Sequence, residues 1–173
     1  SDSPVLISSL KTDTPDEDLI CYSYPIIPDI NATSYIYNWK LNGNPIADLI
    51  MPFNTENNDT CKEYTGNIPN ATLVGAIWVP DGVIGGAYYF QGSSEYLTMS
   101  LPSIFYDIPN NDFTVSFWMK CDDFSSENSI ILMASKDNDN FIELFIKDSQ
   151  IHFGIVYDGT KDAVRTENLS SDT

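Results

Sequence analysis

Three kinds of side chain in this sequence could do chemistry, and their spacing limits what that chemistry can be. His152 is the single histidine, and no G-x-S-x-G turn frames a serine. A Ser-His-Asp acyl-transfer arrangement therefore lacks its parts. Glu143 stands in an apolar run from Asn140 to Lys147, with Phe141 and Phe145 two residues to either side. A pair of carboxylates on one strand face would need a second acid at one of those positions, so the chain is not expected to be an enzyme. Sugar binding by stacking is better served. Strands lying side by side would put Trp118, Phe145 and His152 on one face with Glu143 and Lys120. Aromatic faces over sugar C–H groups plus a few hydrogen-bonding side chains make a shallow ligand surface.

The elements that must carry these residues read as strands. Aromatics make up 13% of the chain, with 10 Tyr and 9 Phe, which favours sheets. Asn, Asp, Gly and Pro punctuate the chain every few residues, and no window sustains a helical repeat. The fold class is all-β. Phe113 to Lys120 alternates apolar and polar residues, so Phe113, Val115, Phe117 and Met119 are expected to be buried between two sheets. Thr72 to Trp78, Ser129 to Ser135, Asn140 to Lys147 and Gln150 to Asp158 are further expected strands. Asp137-Asn138-Asp139, Asp148-Ser149 and Asp158-Gly159 form the turns.

Charge is lopsided. Against 25 acidic residues stand 8 Lys and Arg, a formal net charge of -17. Such a surface repels phosphate backbones and anionic headgroups, so nucleic acid is not an expected partner and no direct membrane insertion is expected. Cations suit it better, and calcium is the expected ion because hard cations take oxygen ligands. The acidic turn Asp137-Asn138-Asp139 is one candidate for it. Four sequons begin at Asn31, Asn58, Asn70 and Asn168. With the scarcity of Lys they point to an extracellular glycoprotein. Three cysteines, Cys21, Cys61 and Cys121, cannot all pair. One disulfide is expected, assigned to Cys61 and Cys121, although the odd count leaves the pairing open.

The run GVIGGAYYFQGSSEYLTM, the strand FTVSFWMK, and Glu63-Tyr64-Thr65-Gly66-Asn67 followed by Ala71 to Trp78 resemble the signature elements of laminin G-like domains. These belong to the concanavalin A-like jelly-roll superfamily. The resemblance implies a β-sandwich over residues 52–173 that lacks its last strands. It also implies a calcium site at Glu63 and Asn67, where the family has an aspartate in place of Glu63. Residues 1–51 resemble part of an immunoglobulin-like module, with Cys21 on a second strand and Trp39 on a third.

The chain is read as an extracellular, non-catalytic recognition or adhesion module at a cell surface. Its expected partners are glycans or cell-surface proteins, and other copies or remaining segments of the same protein. The alternative is a structural subunit of a surface layer or filament, completed by strands from a neighbouring chain.

Overall fold

The computed structural model describes residues 5–12, 14–22, 35–92, 94–102, 105, 112–124 and 129–169. The sequon at Asn31 lies outside them. The chain is all-β, with the sheet composition of a β-sandwich. It divides into two compact units, Ser1–Leu97 and Thr98–Thr173.

In the first unit, β1 (Val5–Ser8) and β2 (Leu19–Tyr22) pair antiparallel, with Val5 opposite Tyr22. Their connection is organised by the Glu17 carboxylate, which accepts the backbone N–H groups of Leu10 at 2.7 Å and Thr12 at 3.2 Å. A hydrogen bond from the Thr12 hydroxyl is the largest influence on this carboxyl and holds it down at about 2. Next, β3 (Lys40–Leu41) and β4 (Asn44–Pro45) form a hairpin. Its turn residues Asn42 and Gly43 have φ of 52° and 85°, the left-handed pair that Asn-Gly tolerates. Trp39, expected beside Cys21 in an immunoglobulin-like core, instead extends this hairpin. Its carbonyl accepts the Ile46 N–H at 2.8 Å, and its side chain is exposed.

Strands β5 (Thr60–Cys61) and β6 (Ala71–Val74) pair next, and β7 (Ile77–Val79) pairs with β8 (Ala87–Tyr89). Strand β9 (Tyr96–Thr98) joins the other side of β6. The buried side chains here are Cys61, Ile68, Ala71, Leu73 and Ala76, joined by the polar Glu63 and Thr65. The paired glycines before β8 have a packing cause. A Cβ on Gly86 would lie 2.4 Å from Trp78 Nε1, and one on Gly85 would lie 2.3 Å from Asn54 Oδ1. Their absence lets the Trp78 indole lie flat on the chain and donate to the Phe53 carbonyl at 2.8 Å.

In the second unit, β10 (Ser129–Asp137), β11 (Asn140–Lys147), β12 (Gln150–Tyr157) and β13 (Thr160–Arg165) form one antiparallel meander in that order. Two of its turns, Asp148-Ser149 and Asp158-Gly159, have both residues at positive φ, the primed geometry that matches strand twist. Register puts Leu132, Ala134, Ile142, Leu144, Ile146, Ile151, Phe153 and Ile155 on one face. Met133, Glu143, Phe145, His152, Lys161 and Arg165 lie on the other.

Two expectations are corrected. Phe113, Val115, Phe117 and Met119 are not buried; they are 38–47% exposed, and residues 112–120 form no strand. Alternation orients side chains, but a strand needs a ladder partner, and this stretch has none among the described residues. It does touch the apolar sheet face through Phe113, whose ring lies 6.0 Å from that of Phe153. The disulfide between Cys61 and Cys121 is not formed, for all three cysteines are free thiols. Cys61 is buried in the first unit, which pushes its thiol up to about 11. The Cys121 thiol donates to the Asp123 carbonyl at 3.2 Å.

Gly86→Ala is expected to lose about 1–3 kcal/mol, since the added methyl overlaps the Trp78 indole. Thermal unfolding followed by tryptophan fluorescence checks it.

Candidate functional site

Glu63 sits two residues after β5, where the chain turns back toward β6. Its side chain faces inward and is 5% exposed. Oε1 accepts the backbone N–H groups of Ile50 at 3.1 Å and Thr65 at 2.8 Å. Oε2 accepts the Thr65 hydroxyl and the Gly66 N–H, both at 2.9 Å. The Glu63 N–H itself donates to Asn70 Oδ1 at 3.1 Å. Burial alone would push this carboxyl up, but the four hydrogen bonds outweigh it and hold the carboxyl below its ordinary 4.5. Four donors occupy the roughly four lone-pair positions a carboxylate offers. A calcium ion at Glu63 would have to displace them, so these residues do not fit the ion. Asn67 donates its N–H to Thr65 Oγ1 at 3.3 Å and thereby belongs to the same turn. The Glu63 carboxylate thus fastens its own turn at Thr65 and Gly66 to the backbone at Ile50.

The acidic turn after β10 is likewise closed on itself. Asp137 Oδ1 accepts the Asp139 N–H at 3.0 Å and Asn140 Nδ2 at 2.8 Å. The Asn140 bond leads in holding this carboxyl down. Among the described residues, no three His, Cys, Asp or Glu side chains gather as a metal centre would require.

The expected sugar face is partly assembled. Phe145 and His152 stand opposite each other on β11 and β12, their rings stacked at 5.0 Å and 17°. Glu143 lies on the same face, across from Gly154. Its carboxylate pairs with Lys161 from β13, and Lys161 Nζ lies 4.9 Å from the centre of the Phe145 ring. Gly154 makes room for that pair, since a Cβ there would lie 3.1 Å from Glu143 Oε1 and 3.2 Å from Lys161 Cε. His152 Nε2 is enclosed without a hydrogen-bond partner.

Lys161 was the residue sequence reasoning missed. The signal was present in the Asp158-Gly159 hairpin, which fixes Lys161 opposite Val156 and so on the face of Glu143. Trp118 and Lys120 are not brought to this sheet as strand neighbours. They lie in the strandless stretch 112–120 and make no hydrogen bond, ion pair or ring contact with Glu143, Phe145 or His152 among the described residues. Trp118 is 74% exposed, above every other large apolar side chain described. Of the sequons, Asn58 and Asn70 are exposed and also structural, for their Oδ1 atoms accept from Trp78 N and Glu63 N. Exposed Asn168 accepts from Gln150 Nε2 at 2.9 Å.

The chain is thus a β-sandwich whose Glu63 and Glu143 carboxylates are committed to internal bonds and whose Trp118 indole is open to solvent. The chain belongs to the family described as Clostridium neurotoxin, N-terminal receptor binding, which matches residues 58–170. That description differs from the laminin G-like resemblance of its motifs. No curated protein matches the chain. Among solved structures it is similar to an S-layer domain-containing protein from Clostridium thermocellum (residues 221–444), at 21% identity and a TM-score of 0.57. The match covers 72% of this chain and 58% of that one, and it speaks to fold alone.

Glu63→Gln places an NH2 against N–H donors and is expected to cost about 1–3 kcal/mol. The lowered carboxyl stabilises the fold fully above 4.5, and that contribution disappears as pH falls through the lower folded value. The gap between parent and variant in urea unfolding should therefore narrow in acid. Calcium or a chelator should leave the parent's melting temperature unchanged; a rise with calcium would show that the turn opens to bind it.

Proposed function

We propose that this chain is a non-catalytic recognition module that engages a receptor at a cell surface, and that the feature it contacts is a glycan. The observation that carries the reading is Trp118, 74% exposed in a chain of a receptor-binding family. An indole left open to water gains by covering sugar C–H groups, and its ring N–H can donate to a hydroxyl. Lys120 beside it supplies a hydrogen-bond donor, while the Phe145, His152, Glu143 and Lys161 cluster is packed against itself on the sheet face of the same unit. With a net charge of -17, the favoured glycan is neutral, because sulfated and sialylated chains would be repelled. The sequons at Asn31, Asn58, Asn70 and Asn168 suit a surface-exposed protein that is itself glycosylated. No helix among the described residues is long and apolar enough to cross a membrane.

A second reading, a self-associating component of a surface layer, is favoured by the open outer edge of β13, whose six residues are all exposed. The structural neighbour, an S-layer domain-containing protein, accords with it.

A glycan array spanning neutral and acidic chains tests the first reading. Trp118→Ala should lower binding at least about tenfold, as loss of an aromatic anchor does, with no change in melting temperature. Phe145→Ala should lower the melting temperature instead. Equal binding by parent and Trp118→Ala would remove the glycan reading.

A further inference from the structure

Strand β13 is an edge of the four-stranded sheet, and among the described residues nothing pairs with its outer side. Its rungs can be assigned. The Thr166 N–H donates to the Ile151 carbonyl at 3.0 Å, so residues 151 and 166 form an inward rung. Counting back by twos, Val164, Asp162 and Thr160 turn their backbone groups toward β12. Lys161, Ala163 and Arg165 turn theirs outward, unpaired.

A row of outward donors and acceptors is a template for another strand. In an antiparallel pairing of β13 with a second β13, outward residues must meet outward residues, which restricts the two-fold to a residue position. Centring on Lys161, Asp162 or Arg165 sets a charged residue against itself. Centring on Ala163 opposes Lys161 to Arg165, and centring on Thr160 opposes Asp162 to Asp158. Like charges directly opposite are destabilising. Among the residues of β13, centring on Val164 alone avoids them. There Val164 faces Val164, Ala163 exchanges bonds with Arg165, Asp162 faces Thr166, and Lys161 faces Glu167. Val164 is 68% exposed on the chain by itself, so the pairing also covers an apolar side chain.

We propose that a second copy of this chain pairs edge to edge with β13, antiparallel about a two-fold at Val164, fusing two four-stranded sheets into one of eight. The contact is isologous and closes at a dimer. A single strand edge buries little surface, so the dimer forms at high protein concentration. This inference deepens the self-association reading and is independent of the glycan reading, whose Trp118 assay is read separately.

The test is register-specific crosslinking of the full chain. In the proposed dimer, residues at 164 face each other across a non-hydrogen-bonded pair, with Cβ atoms about 4.5–5.5 Å apart. Under mild oxidant, Val164→Cys should give covalent dimer at least about tenfold above both the parent, which carries the native thiols, and Asp162→Cys. In sedimentation, Val164→Lys should weaken the parent's association at least about tenfold by opposing two ammonium groups. Ala163→Pro should abolish it while leaving the inward ladder and melting curve intact, because the lost N–H points outward. Equal crosslinking of Asp162→Cys and Val164→Cys would overturn the proposal. So would a parent that stays monomeric up to about 1 mM, or association that survives Ala163→Pro.

Discussion

A β-strand persists only where its backbone donors and acceptors meet those of a neighbour, and most of what is distinctive here follows from where that condition is met. It is met between successive strands of the meander β10 to β13, whose two-residue turns at Asp148-Ser149 and Asp158-Gly159 have the backbone hand that antiparallel pairing requires. Residues 112–120 have the side-chain alternation of a strand without a ladder, so their aromatic and aliphatic groups stay open. On β13 the condition is met on one side only among the described residues, which leaves a rail of outward groups along the sheet.

In the first unit the strands are short, and side chains take over part of what ladders do elsewhere. Glu63 gathers the N–H groups of Ile50, Thr65 and Gly66, Trp78 holds the Phe53 carbonyl, and Asn58 caps the Trp78 N–H. A buried carboxylate is tolerable only when its lone pairs are filled. Here backbone and hydroxyl donors fill them, in the position where the motif resemblance implied a cation. Such internal satisfaction also bears on function. Glu63 is committed to backbone groups and Glu143 to Lys161, while the Trp118 indole stays open to solvent.

Acidity sets the choice of partner. A chain of net charge -17 associates with itself only where local charges are balanced. The edge of β13 is such a place, since Lys161 and Arg165 alternate there with Asp162 and are followed by Glu167. The same field, acting at longer range, disfavours the approach of anionic partners.

Local pattern alone determined the all-β class, the strands β11 and β12, the Asp-Ser and Asp-Gly turns, and the shared face of Glu143, Phe145 and His152. Each depends on period-two alternation or on residues that tolerate positive φ, and both are properties of neighbours in the chain. The paired glycines at Gly85 and Gly86 were visible as a motif, but their reason, an indole and an amide lying on the backbone, is a contact across sequence distance. Tertiary structure decided the rest. Whether Phe113 to Lys120 would be a buried strand depended on a ladder partner elsewhere. Whether Glu63 would hold a cation depended on Ile50 N–H, thirteen residues away, arriving to fill its oxygen. Alternation states which way a side chain points, and only the assembled chain states what it meets there.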